Sequence, residues 1–171
     1  MVEYINQILT NWKGKPLESA KKLIKKYGHP QEITMNRLIW YHNGPWKRTI
    51  IYRETIPHNF PHPHPDFLEQ VIDYRVPLHL YDDIAAFDGS TTIYRTKGEI
   101  SAMCDMEAMN LLSLNVLNDI VMGRCDVEQA KIFLARTAYM YLKMDVASPY
   151  TEGLLFQKQH NTGDPGIIYF E

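Results

Sequence analysis

The chain has 171 residues, 45% of them hydrophobic and 22% charged, with a formal net charge of -2 and a pI near 6.4. Such a composition can bury a core, which excludes wholesale disorder, and the pI lies well below that of a dedicated nucleic-acid-binding domain. The total hides a split: residues 1–53 hold 10 Lys+Arg and 3 Asp+Glu, and the remainder holds 8 and 17.

The length predicts a single domain over 1–171. The start, MVEYINQILTNWKGK, lacks the basic head, apolar block and cleavage site of a signal peptide. No apolar stretch is long enough to span a bilayer, so the expected site is the cytoplasm, or a host cytoplasm or virion for a viral protein. Cys104 and Cys125 are too few for a disulfide scaffold and read as reduced core thiols.

Pro16 and Gly28 bracket a first helix. Leu17, Ala20, Ile24 and Tyr27 share its apolar face, and Lys21, Lys22, Lys25 and Lys26 line the other. Two runs rich in Ile, Trp, Tyr and Thr follow, Thr34–His42 and Trp46–Glu54, joined by the turn Asn43-Gly44-Pro45. The stretch from Pro57 to Pro65 alternates proline with histidine and predicts an extended, polyproline-like connector. Phe67–Val76 reads as a strand and Leu78–Phe87 as a short helix stopped by Asp88-Gly89. Thr91–Thr96 and Glu99–Met103 read as a second hairpin around Lys97-Gly98.

Asp105 is expected to cap an apolar helix that runs to Gly123. Asn110, Asn115 and Asn118 on that helix would need partners, with loop backbone preferred over a ligand. Asp126 and Gln129 predict a capping box for a helix over Val127–Met144. From about residue 149 the chain reads as an irregular tail. Its last apolar residues, Ile167, Ile168, Tyr169 and Phe170, are expected to dock on their own domain or on a neighbour. The sum is an α+β fold: a mostly antiparallel sheet of about five strands, two C-terminal helices packed on it and an N-terminal surface helix.

The helix ending Tyr27-Gly28-His29-Pro30, followed by Leu38-Ile39-Trp40-Tyr41 and a second strand, resembles the helix–hairpin unit of small bacterial envelope modules related to beta-lactamase inhibitor proteins. The resemblance covers Leu17–Arg53. It implies a local shape and no functional residue. Those modules are exported, whereas the start MVEYINQILTNWKGK does not read as an export signal.

His58, His62, His64 and Asp66 lie within nine residues. Imidazoles and a carboxylate at alternating positions can converge on one zinc ion in a tight loop. His62-x-His64-x-Asp66 resembles the opening of the metallo-beta-lactamase-type di-metal motif, His-x-His-x-Asp-His. The resemblance implies His62, His64 and Asp66 as ligands, with His58 as a fourth ligand or a base. It departs at Phe67, where that family has histidine, and no second ligand set follows downstream. The alternative is an exposed connector without metal, in which Pro57, Phe60, Pro61, Pro63 and Pro65 form a strip for a protein partner.

The lysine helix together with Arg48, Arg53, Arg75 and Arg95 is a candidate anion- or partner-binding surface. The last three arginines follow tyrosines in the pairs Tyr52-Arg53, Tyr74-Arg75 and Tyr94-Arg95, and cross-strand ion pairing is the plainer use for them. Cys104 lies just before a helix start, where a thiol can be activated, but no histidine base is placed beside it by sequence.

Three functions follow. The leading expectation is a non-catalytic binding or assembly protein that acts through protein contact, principally self-association, with no bound cofactor. A small virion component or a toxin-neutralising factor would fit. The alternative is a metal-dependent hydrolase using His62, His64 and Asp66, with zinc as cofactor. The third is nucleic-acid binding through the basic N-terminal third.

Overall fold

The computed structural model describes residues 2–171. Helix α1 (Val2–Leu9) and helix α2 (Gly14–Tyr27) lead into strands β1 (Glu32–Ile33), β2 (Arg37–Tyr41), β3 (Arg48–His58) and β4 (His64–Asp73). A 3-10 turn at Leu78–Leu80 runs into α3 (Tyr81–Phe87), and β5 (Thr91–Tyr94) and β6 (Glu99–Cys104) follow. Helices α4 (Glu107–Val121), α5 (Val127–Met144) and α6 (Pro149–Glu152) complete the order. The fold is α+β, 40% helical and 22% strand.

The six strands form one antiparallel sheet in the order β1-β2-β3-β4-β6-β5. The sheet has one strand more than expected, because Glu32–Ile33 pairs with the outer edge of β2. Leu68, Gln70, Ala102 and Cys104 point toward α4, while Glu69, Ser101 and Met103 point the other way, as the two-residue period requires. Asn110 of α4 donates to the Leu68 carbonyl and to Gln70. Trp40 donates to the Gly28 carbonyl at the end of α2, so α2 covers the same face.

The core has two parts. Leu112, Leu114, Val116 and Leu117 of α4 join Phe87, Ile100 and Leu134 in one. Trp12, Leu23, Leu38, Trp40, Ile51 and Phe67 form the other. Each of these large buried side chains contributes about 1.5–3 kcal/mol over its exposed state. Helix α4 is apolar nearly all round and is correspondingly central. Its buried amides find protein partners. Asn115 donates to the Tyr150 and Gly153 carbonyls, and Asn118 accepts from the Tyr74 hydroxyl.

Several expectations need correction. Asp105 does not cap α4. Met106 holds the cap position without a side-chain bond, and Asp105 accepts from Lys15 at 2.6 Å. Glu107 instead ties α4 down, accepting from Tyr27 and Trp46 at 2.5 and 2.6 Å and pairing with Lys26. The chain after 149 is not wholly irregular, because Ser148 and Thr151 form a capping box around α6. Ile167, Ile168, Tyr169 and Phe170 do not dock on their own chain and are 78–91% exposed.

The proline connector is not an extended linker. Pro57 belongs to β3 and Pro65 to β4, and the two face each other across the ladder. Proline brings no backbone donor, so this pair sits where the ladder loses nothing it could have made. Phe60 is half-buried against Phe87, with ring centroids 6.4 Å apart. Pro61 is also half-buried, and Pro63 is exposed at the turn.

Folding also redistributes the charge split. Lys15 pairs with Asp105, Lys26 with Glu107, Lys47 with Asp73 and Glu99, and Arg48 with Glu99. Each joins the basic third to the acidic remainder, so the two charge regions partly neutralise each other within one molecule.

Candidate metal centre

The β3–β4 hairpin builds the site. His58 and His64 are direct partners across the ladder, which places their Cβ atoms about 5 Å apart. Asp66 lies two residues after His64 and therefore on the same face. Farther along the hairpin, Tyr52, Arg53, Glu54 and Thr55 stand opposite Phe67 alone. That irregularity bends β3 and opens the hairpin.

One donor atom from each of His58, His64 and Asp66 lies within 4.8 Å of the other two. His58 Nδ1 is 3.2 Å from Asp66 Oδ2, and His64 Nε2 is 3.2 Å from Asp66 Oδ1. The outer nitrogens are engaged elsewhere. His64 Nδ1 lies 2.6 Å from the His62 carbonyl, and His58 Nε2 lies 3.7 Å from Asp88 Oδ1. A backbone acceptor on one ring nitrogen fixes the proton there and leaves the other nitrogen's lone pair facing inward. This holds for His64; the Asp88 oxygen at 3.7 Å from His58 Nε2 is an ion-pair contact and not a hydrogen bond, and His58 meets the same carboxylate through Nδ1.

Burial sharpens the arrangement. Asp66 is 1% exposed, and its Oδ1 accepts no hydrogen bond. A buried carboxylate is costly unless paired, and the ion pair with His64 Nε2 at 3.2 Å is what Oδ1 has. Ser90 donates to the other oxygen and also lies 3.3 Å from His58 Nδ1. Asp66 beside it, then the Cys104 thiol, push His64 up to about 11. A proton on His64 is thus what balances Asp66 in the absence of an ion, and an ion would have to displace it. Burial pushes the Asp88 carboxyl up, and Ser113 and the Ser90 amide hydrogen-bond to it.

Two spaces flank the cluster. On the helix side His58, His62, His64, Asp88, Cys104 and Ser113 line a void of about 20 Å³. That admits one water or one ion and no organic ligand. On the open side Asp66 and Ser90 form the inner end of a groove of about 420 Å³.

The sequence-predicted ligand set is therefore changed in one member. His64 and Asp66 are in the cluster, and His58 joins them as a full partner. His62 does not, because it precedes β4 in the turn and its Nδ1 lies 3.1 Å from the Pro63 carbonyl. Its ring still packs tilted against His64, with centroids 5.1 Å apart. Ser90, Asp88 and Ser113 carried no signal for this role. Asp88 marked only a helix stop, and contact between residue 88 and residue 58 depends on the closed sheet. Cys104 does meet a histidine, His64, but burial pushes its thiol up and not down.

The cationic candidates do not converge. Lys21, Lys22 and Lys25 stay exposed on α2, whereas Lys26 is paired with Glu107. Arg48 makes a two-pronged contact with Glu99, at 3.0 and 2.6 Å, and is not free for an anion. Arg75 and Arg95 both reach Asp164, and Arg53 is half-buried on β3. Arg53, Arg75 and Arg95 all fall outside the paired positions of the sheet, so the register does not line them up as one anion-binding row.

Comparison with family models, with curated proteins and with solved structures finds no match to this chain. No helix among the described residues is long and apolar enough to cross a membrane.

Proposed function

We propose that this protein is a metal-dependent hydrolase whose ion, zinc by its donor set, is held by His58, His64 and Asp66. One observation carries the reading: His58, His64 and the buried Asp66 each bring a donor atom within 4.8 Å of the others, and a backbone acceptor on His64 Nδ1 turns its Nε2 toward Asp66. Outer acceptors of this kind are the usual support of metal-bound histidine. Three protein ligands leave a fourth position for water, and zinc lowers the pKa of such a water toward neutrality. Ser90, within reach of both His58 and Asp66, is placed to hold that water or a substrate oxygen.

A set of chromogenic esters and phosphate esters tests the hydrolase. The expected result is turnover that a chelator removes, zinc restores and His64→Gln abolishes, while His62→Gln keeps it. Turnover that neither the chelator nor His64→Gln diminishes would refute the reading.

A second reading has its own observation. The segment Ile167–Phe170 leaves four consecutive apolar side chains in water, which supports self-association through the tail. Asp164 is anchored by Arg95 and Thr162 by the Gly98 carbonyl, so the tail starts from a fixed point. Light scattering should give a mass above the monomer that falls to the monomer in Ile168→Asp/Phe170→Ser. An unchanged mass would refute it.

A further inference from the structure

The groove on the open face of the sheet has a chemistry of its own. Tyr52, Glu54 and Ile56 of β3 line it on one side, with Ser101 and Met103 of β6 and Thr92 of β5 on the other. Glu69 forms its floor, and Asp66 and Ser90 close its inner end. Two carboxylates, Glu54 and Glu69, therefore face a space of about 420 Å³, with Asp66 buried at its inner end, and among the described residues no lysine or arginine lines it. The volume falls within the range of small-molecule sites, and the space is open to solvent along one side.

The carboxylates are not equivalent. Glu69 is half-buried, and the Tyr52 hydroxyl donates to its Oε2 at 2.7 Å. That bond aims the carboxylate and leaves its other oxygen for a ligand. Burial, followed by the Glu69 contact, pushes the Tyr52 phenol up to about 12, so Tyr52 remains a donor at neutral pH. Glu54 is exposed at the rim. Ile56 and Met103 are apolar and line the same space, where an aliphatic stem can pack against them. The groove thus offers a carboxylate floor, apolar walls, an aromatic ring and a line of hydroxyls.

We infer that this groove is the substrate cleft of the centre formed by His58, His64 and Asp66, and that it selects an alkylammonium cation with an aliphatic stem. The inference rests on the metal reading for its link to catalysis, whereas the recognition itself rests on the groove. An anion would meet the Glu54 and Glu69 carboxylates with no lysine or arginine lining the space, because Arg48 is committed to Glu99. A cation meets charge-assisted acceptors at Glu69 and Glu54 and a ring face at Tyr52. Ser90 connects the two regions, because it lines the groove and hydrogen-bonds to Asp66.

Binding of three probes tests this: 1,5-diaminopentane, the side chain of Nα-acetyl-lysine N-methylamide, and pentane-1,5-diol as the neutral analogue. Calorimetry or chemical-shift titration should show saturable binding of at least one cation and none of the diol. Binding should weaken about tenfold in Glu69→Gln, the loss of one charge-assisted contact, and stay unchanged in Lys22→Gln, which lies on α2. The stronger of the two cations identifies the source as a free diamine or a peptide side chain. Equal binding of the diol, no cation binding, or an undiminished affinity in Glu69→Gln would overturn the inference. Each titration is run on chelator-treated and on zinc-treated protein with the zinc content measured. Zinc uptake without cation binding refutes the groove alone. Cation binding lost in Glu69→Gln but without zinc uptake upholds the groove's selectivity and refutes the metal centre.

Discussion

Glu99 gives a prediction whose size can be worked from the structure. Its side chain is 5% exposed and pairs with Arg48 at 2.6 Å and Lys47 at 2.9 Å. Burial alone would raise its pKa. The Arg48 and Lys47 contacts outweigh that and bring it from 4.5 down to about 2. A depressed folded-state pKa contributes stability above the unfolded value, lost as pH falls from about 4.5 to about 2. The shift converts to about 3 kcal/mol at 1.36 kcal/mol per unit. Arg48 and Lys47 are 23% and 31% exposed, so solvent screening brings the expected figure to about 2 kcal/mol. The test is urea unfolding of wild type and Glu99→Gln between pH 2 and 7. The variant should be less stable at pH 6 and the gap should close by about 2 kcal/mol toward pH 2. A gap independent of pH would show that Arg48 and Lys47 do not hold an ionised Glu99.

Two further substitutions test separate parts of the account. Gly98 has φ +64, and a Cβ there would lie 2.1 Å from the Thr162 carbonyl carbon. Gly98→Ala should therefore cost about 2 kcal/mol and free the segment from Thr162 onward, read as a lower melting temperature and faster tryptic cleavage at Lys158; unchanged melting and cleavage would contradict that contact. Leu112 is fully buried and lines the void beside the histidines. Leu112→Ala should cost about 3 kcal/mol in urea unfolding yet leave zinc affinity within a factor of about three, because no ligand atom is removed; a loss of zinc binding in the folded variant would refute that separation.

What the sequence made legible was local. Asp126 and Gln129 announce the start of α5, and the capping box forms there. Asn43-Gly44-Pro45 announces the turn between β2 and β3. The helix–hairpin shape over Leu17–Arg53 also forms, from the same short-range signals. The metal cluster was half legible, because His64 and Asp66 sit two residues apart on one strand. Choosing His58 over His62 required the ladder register, and register is a non-local property. Alternating prolines hid that register by reading as a linker. Asp88 and Ser90 come from a turn more than twenty residues away in sequence, and nothing at residues 58–66 points to them. The charge split was misleading for a related reason. Lys15, Lys26, Lys47 and Arg48 meet their acidic partners only when the chain has closed on itself.

The central claim is that His58, His64 and Asp66, and not His62, hold an ion. Elemental analysis of untagged protein, purified without chelator and dialysed, tests it most directly. The account predicts about one zinc per chain in wild type and in His62→Gln, and a small residue of it in folded His64→Gln and Asp66→Asn. Wild type free of metal after zinc loading would contradict it, as would zinc lost with His62 and kept without His64.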